Sequence, residues 1–297
     1  INDYIKRFPF IQLLNNHKSI LSTGFNLALS QSHGEIIVRI DGHCEIPPDY
    51  LEKCSNLLKR CDADIVGGVI QTISSGLIGE AISIAQSSPF GVGGVKFRRI
   101  DLDQGSYVDT LAFGAHRREI FECIGGFDEE MIKNQDDEFN YRAIQAGNKI
   151  WMDPSIKIKY YSRSNYKKLF IQYFYYGYYK VRVIQKRKQV VSIRHLIPAI
   201  FIFSLLITAY LGTITSKPLI SLSIVFIYLV VNLLASIKVA QKFIYIPFIS
   251  LAFFILHFSY GTGFIIGLFR FIRSWGDTTL LDNNFNKAVF SITHPNK

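Results

Sequence analysis

Between about residues 195 and 270 the chain is almost free of charge, and its apolar residues form three stretches, near Leu196 to Thr215, Pro218 to Ile237 and Phe243 to Phe269. Each reaches or exceeds the roughly 20 residues with which a helix crosses a bilayer. Part of this chain is therefore built for lipid, in line with a 49% hydrophobic composition and a mean hydropathy of +0.19. The first two stretches read as spans. The third is interrupted by Tyr260-Gly261-Thr262-Gly263. Three full crossings would carry Arg270 and Arg273 to the side opposite the basic half, against the positive-inside tendency. The third stretch is thus expected either to re-enter, broken at those glycines and returning the C-terminus to the cytoplasm, or to cross as a tilted span. His257 lies inside it, either as a functional ionisable group in lipid or as a neutral histidine bonded to a neighbouring helix.

The chain has 33 Lys+Arg against 23 Asp+Glu, and the basic residues concentrate between Arg163 and Arg194, directly before the apolar region. That placement argues for anionic lipid headgroups and a cytoplasmic orientation, and against a nucleic-acid partner. Within Tyr166 to Gln189, Phe170, Tyr173, Phe174 and Gly177 recur at helical spacing among Lys167, Lys168, Lys180, Arg182 and Lys186. This predicts an amphipathic helix in the headgroup plane, the alternative being a solvated helix packed on the domain. Cys44, Cys54, Cys61 and Cys123 show neither zinc nor disulfide spacing, which suits a reducing compartment.

The first half alternates helix and strand patterns. Helices are expected over Ser22 to Ser32, from Pro48 with Leu51, Cys54, Leu57, Leu58 and Cys61 on one face, around Ile78 to Ala85, and over Asp136 to Ala146 up to Gly147. Strands are expected over Gly34 to Asp41, Ala63 to Thr72 and Val108 to Phe113. The βαβ-like alternation predicts an α/β fold with a parallel sheet. In such a sheet, polar groups beyond the carboxyl ends of strands are candidates for chemistry, which singles out Asp41-Gly42-His43. A second cluster, Asn134-Gln135-Asp136-Asp137-Glu138, follows the turn Gly125-Gly126-Phe127-Asp128-Glu129 and opens a helix. Asn134 as N-cap and acids in a first turn are stabilising in themselves. The functional alternative is that one acid faces the cleft of Asp41 and acts as general base for an acceptor hydroxyl.

The order GEIIVRIDGH, GGFDEE, NQDDEF, QYFYYGYYK and a membrane tail resembles the family-2 inverting glycosyltransferases with a GT-A-like (Rossmann-like) nucleotide-sugar domain. Within that family it is most similar to the membrane-anchored branch that builds bacterial exopolysaccharides such as succinoglycan. The resemblance implies a nucleotide-diphosphate-sugar donor, usually a UDP-sugar, a lipid-linked saccharide acceptor and a divalent metal. Asp41 matches the first acid of the Asp-x-Asp motif, and His43 stands where the second usually is. An imidazole ligand favours Mn²⁺ over Mg²⁺. Asp136 matches the catalytic base, while Gln135 replaces its usual Glu neighbour. Removing that like charge leaves burial or Asp137 to raise the basicity of Asp136. The implied reaction is a single displacement that yields a β-linked product from an α-linked donor.

Gln172-Tyr173 falls where processive relatives carry Gln-x-x-Arg-Trp, but Arg and Trp are absent, which favours addition of one sugar. Lys167 or Arg182 are candidates for the phosphates of the acceptor lipid. Ser88 to Gly94 is too weak a pattern for a phosphate cradle, and by resemblance is a flexible loop over the active site. His116 and Arg117 are candidates for the acceptor side, with a plain surface position as the alternative for His116. The resemblance also implies a first strand, a helix and a second strand ahead of Ile1, so that the chain reads as a fragment. The expected organisation is a glycosyltransferase domain over 1–162, the amphipathic segment 163–194, a transmembrane region 195–270 and a tail 271–297. This places a multi-pass protein in the cell inner membrane with its catalytic part cytoplasmic. A polyprenyl-phosphate sugar transferase, or a non-catalytic membrane scaffold that binds a ligand, are the alternatives.

Overall fold

A computed structural model describes residues 1–100, 102–188 and 193–275. The tail from residue 276, including the side on which the C-terminus was expected, lies outside the described residues, as do residues 189–192 of the basic segment. Helices α1 (Asn2–Arg7) and α2 (Leu21–Gln31) precede strands β1 (Ile36–Val38) and β2 (Cys44–Glu45). Next come α3 (Tyr50–Arg60), β3 (Ile65–Ile73), α4 (Gly76–Ser87) and the short α5 (Pro89–Val92). The α/β part ends with β4 (Ser106–Tyr107), β5 (Ala115–Arg117), α6 (Arg118–Ile124), α7 (Gln135–Gln145) and β6 (Ile150–Tyr161). Four long helices follow: α8 (Tyr166–Arg187), α9 (Ile197–Ile214), α10 (Leu219–Val239) and α11 (Ile246–Arg270).

The sheet order is β1-β5-β3-β6-β2, with β4 also on β6. It is mixed rather than parallel: β3 and β6 run parallel, whereas β1–β5, β3–β5, β2–β6 and β4–β6 are antiparallel. The difference arises at Val108 to Phe113, which forms no strand. Phe113 adopts a left-handed φ of 56°, and its carbonyl accepts a hydrogen bond from the Tyr50 hydroxyl instead of a strand partner. The chain then enters β5 in reverse, pairing Ala115 with Val66.

Strand β6 escapes a sequence reading because Pro154 interrupts it, yet Ile150, Met152, Ile156, Ile158 and Tyr160 are all buried. The proline sits in a bulge, where pairing with β3 jumps from Gly68–Asp153 to Val69–Lys157, and a bulge is where a proline costs no ladder bond. The bulge presses Ile156 onto Gly68, whose Cβ would fall 2.0 Å from the Ile156 carbonyl oxygen. Successive side chains of β3 feed two cores. Ile65 and Val69 meet Phe121, Phe139 and Met152 on one face, and Val66 and Ile70 meet Tyr50, Cys54 and Leu58 on the other.

Helix α11 runs unbroken through Gly261 and Gly263, so the expected break is absent. Its glycines serve close packing instead. A Cβ at Gly263 would lie 2.0 Å from the Phe174 carbonyl oxygen, and one at Gly177 would lie 2.0 Å from that of Tyr260, so α8 and α11 touch backbone to backbone. Gly263→Val is expected to destabilise the protein by at least about 1–3 kcal/mol, read as a lower thermal midpoint in detergent. Among the described residues three helical segments, Ile197–Ile214, Leu222–Val239 and Phe243–Arg270, are long and apolar enough to cross a membrane.

Helix α8 does not lie with its basic face toward headgroups. Lys167 and Lys168 are exposed, but Lys180, Arg182, Lys186 and Arg187 turn inward. Arg182 pairs with Glu130 at 2.6 Å, and Lys186 with Asp128 and Glu130 at 2.5 and 2.6 Å. Lys180 and Arg187 reach Asp137. The acids of the turn after α6 and of α7 thus take the charges assigned to lipid, and Arg182 is not free for an acceptor phosphate.

Candidate active site

Beyond β1, Arg39 and Ile40 lead into a turn that sets Asp41 and His43 at a cavity of about 590 Å³. The N-terminus of α7, the α5 segment, Tyr160 of β6, and α8, α9 and α11 complete its wall. Both Asp41 oxygens accept hydrogen bonds from Arg39, from Nε and a terminal nitrogen, each at 2.8 Å. Burial opposes the charge on Arg39, but Asp41 and the nearby Asp136 raise its pKa and hold the guanidinium charged. His43 stands edge-on to Tyr160 at 5.0 Å between ring centres. Burial, with Arg163, Arg39 and Lys133 close by, lowers the His43 pKa against the pull of Asp41 and favours neutral imidazole.

The three acids of α7 have separate fates. Glu138 is buried on Arg142, with oxygens 2.7 and 3.0 Å from its nitrogens. Burial alone would raise Asp137, but Lys180 and Arg187 hold its carboxyl well below the usual range. Asp136 accepts the Asp137 N–H at 2.9 Å, lines the cavity and makes no salt bridge among the described residues. Asn134 occupies the N-cap position with a φ of 62°, but its side chain donates to the Tyr176 carbonyl at 3.0 Å rather than capping the helix. Gln135 also lines the cavity, and its buried Oε1 has no hydrogen-bond partner among the described residues. Gln172 donates to the hydroxyls of Tyr160 and Tyr176 at 3.3 and 2.9 Å, and its own Oε1, at the same cavity, is unpaired among the described residues.

His116 is a correction. Its ring lies in the core against Phe121 and Phe139, with Nδ1 3.3 Å from the Ile37 carbonyl, and burial pushes its pKa down to about 4. Strand alternation turns it from the cavity, and Arg117 bonds the Leu58 carbonyl on α3. The segment Ser88 to Gly94 is a pinned wall rather than a loose cover. Ser88 caps α5 by accepting the Gly91 N–H at 3.1 Å, Phe90 packs on Phe253, and His257 lies 2.8 Å from the Phe90 carbonyl. The second ring nitrogen of His257 lies 3.0 Å from the Tyr228 hydroxyl of α10, so its bonds to neighbouring elements account for it.

Sequence reasoning missed much of the cationic wall. Arg39, Arg98, Lys133, Arg163, Lys180 and Arg194 line the cavity against the carboxylates Asp41, Asp136 and Asp137. Arg98, Lys133 and Arg163 form no salt bridge among the described residues. Lys133 is lowered by burial and by Arg163, as expected for cations crowded together. Such a wall suits an anionic ligand. The signal was present in Lys133, directly ahead of the acid run, and in the basic pair Arg98-Arg99.

Among the described residues no three His, Cys, Asp or Glu side chains gather into a metal cage. Asp41, whose oxygens each keep a lone pair beyond the Arg39 bond, and a neutral His43 do present two donors to one cavity. This fits a divalent cation that completes its shell with substrate phosphates, and the imidazole donor favours Mn²⁺ over Mg²⁺.

The sequence model described as Glycosyl transferase family 2 matches residues 1–125, which include Asp41 and His43. The chain is 32% identical over 195 residues to the succinoglycan biosynthesis protein ExoA of Rhizobium meliloti, across 64% of this chain and 58% of that protein. It therefore spans little more than half the length of that relative. It is 28% identical over 272 residues to the dolichyl N-acetyl-alpha-D-glucosaminyl phosphate 3-beta-D-2,3-diacetamido-2,3-dideoxy-beta-D-glucuronosyltransferase of Methanococcus voltae, across 89% of this chain and 80% of that protein. A mixed α/β sheet with an acid-and-cation cavity at its edge accords with the family match, which includes the cavity's first acid: residues 1–125 are those of a glycosyltransferase family 2 domain.

Proposed function

We propose that the protein transfers a sugar, with inversion, from a nucleotide-diphosphate sugar, specifically a UDP-sugar, to a lipid-linked saccharide during exopolysaccharide synthesis. The observation that supports this reading is a single cavity that runs from Asp136 and a cationic wall to the apolar helices α9, α10 and α11. In this reading Asp136 takes the proton of the acceptor hydroxyl. Arg39, Lys133 and Arg163 offset the charge of the diphosphate. Asp41 and His43 would hold a divalent cation, which would supply charge neutralisation at the leaving group. The name of the Methanococcus relative specifies a sugar already attached to a lipid phosphate, and that favours a saccharide acceptor over a bare lipid phosphate. The catalytic part is cytoplasmic and α9 to α11 cross the inner membrane.

The test is UDP release, together with lipid-extractable label, by membranes carrying the protein and offered a panel of UDP-sugars. Labelled lipid from one donor is the expected result. Donor binding without any transfer would support the ligand-binding scaffold, and transfer to bare polyprenyl phosphate would support the polyprenyl-phosphate sugar transferase. Because neutral imidazole suits Mn²⁺ better than Mg²⁺, turnover is expected to be higher with Mn²⁺, and His43→Ala is expected to remove the difference. Equal rates with the two metals in the unsubstituted protein would exclude His43 as a ligand.

A further inference from the structure

The membrane end of the cavity carries polar groups that the reaction at Asp136 does not use. Among the described residues the buried hydroxyl of Tyr260, in the middle of α11, has no hydrogen-bond partner, and the buried Nε of Arg194, just ahead of α9, has none either. Both residues line the cavity. The alkyl chain of Arg194 is packed on Gly93, where a Cβ would lie 2.9 Å from that of Arg194, so the side chain is held in place. Its contact with Asp109 is long, at 3.4 Å. A buried donor left unpaired loses its hydration without replacement, and two such donors at one cavity are explained by a ligand that accepts from both.

Directly beyond these donors the wall becomes apolar. Leu256 lies one helical turn before Tyr260 on α11, Ile197 and Phe201 open α9 after Arg194, and Phe90 closes the side. Gly261 brings the junction together, since its Cβ would fall 2.2 Å from the Pro198 carbonyl oxygen. An anion attached to a hydrocarbon chain is the chemistry that meets both halves. The donor diphosphate belongs elsewhere in this reading, beside Asp41, Lys133 and Arg163.

We infer that Arg194 and Tyr260 bind the phosphate of a polyprenyl-linked acceptor, whose first isoprene units lie between Phe90, Phe201 and Leu256. The inference rests on the proposed transfer to a lipid-linked acceptor, and it assigns the residues that recognise the lipid. Arg194 supplies a charged donor and Tyr260 a neutral one, from two walls of the same cavity.

The test is calorimetric binding of farnesyl diphosphate to the full chain in detergent micelles, with farnesol, inorganic pyrophosphate and UDP as comparison ligands. Farnesyl diphosphate is expected to bind at least about tenfold more tightly than farnesol or pyrophosphate, because it meets both the charged and the apolar half. Arg194→Gln is expected to weaken it by about tenfold or more and Tyr260→Phe by about threefold or more, with UDP binding unchanged. Tyr260→Phe removes one unpartnered oxygen, so it tests the site even if Arg194→Gln lowers the melting temperature. Leu256→Trp is expected to weaken farnesyl diphosphate and farnesol together. Unchanged farnesyl diphosphate binding in the Arg194 and Tyr260 variants, equal binding of pyrophosphate, or displacement by UDP would each overturn the inference. Farnesyl diphosphate binding that depends on Arg194, in a protein that neither binds UDP nor releases it from UDP-sugars, would leave this site standing and overturn the glycosyltransferase reading instead.

Discussion

Asp136→Asn is expected to cut sugar transfer by about 10²–10⁴-fold while UDP still binds. The substitution keeps the size and the hydrogen-bonding outline of the side chain and removes its capacity to accept a proton. Neighbouring acids offer no replacement. Asp137 is committed to Lys180 and Arg187, and Glu138 to Arg142. Asp41 is clasped by Arg39 through both oxygens. The assay is transfer of labelled sugar to extractable lipid at saturating donor, alongside UDP titration of the same preparation. Transfer that survives the substitution would show that the acceptor proton leaves by another route and would sink the assignment. Loss of UDP binding as well would place Asp136 in donor recognition.

The second large effect concerns stability. Asp137→Ala is expected to destabilise the protein by about 3–5 kcal/mol, because it leaves Lys180 and Arg187 buried without their counter-ion. Lys180 is 6% exposed and Arg187 7% exposed, so water does not replace the carboxylate. Removing the cation as well, in Asp137→Ala with Lys180→Met, is expected to recover part of the loss, since an apolar replacement of a buried pair is often close to neutral. The carboxyl of Asp137 is held below its ordinary range, so its contribution is full above that range and is lost as pH falls below it toward the depressed value. Unfolding midpoints measured in detergent from neutral pH downward should therefore fall in acid for the unsubstituted protein and flatten in Asp137→Ala. Equal slopes, with a loss under about 1 kcal/mol, would mean that water reaches the pair and screens it as at a surface.

These expectations show where sequence was informative. Helices α2, α3, α4 and α7 follow apolar spacing and glycine or proline punctuation, signals confined to the segment itself. The placement of Asp41, His43 and Asp136 at one cavity was legible for the same reason, since each is a polar residue at the end of an element. Strand β6 was hidden by Pro154, because the bulge that accommodates a proline exists only once Gly68 is beside it. His116 was ambiguous since β5 is too short to reveal which face it turns inward. The basic residues of α8 were misassigned to lipid because their partners, Asp128, Glu130 and Asp137, lie more than 40 positions earlier. Composition gives the amount of charge; only the fold pairs it.

Helix α8 is locked on both sides, to the α/β part by buried ion pairs and to α11 by glycine contacts without intervening side chains. The height of Asp136 above the hydrocarbon is thereby set by a rigid strut rather than by a hinge. On the proposed activity such a strut works as a gauge. The hydroxyl that meets Asp136 is the one that stands at a fixed distance from the lipid anchor, and an acceptor longer by one ring carries its terminal hydroxyl past the base. Chain length would then be counted by the architecture itself, with the membrane as the zero of the scale.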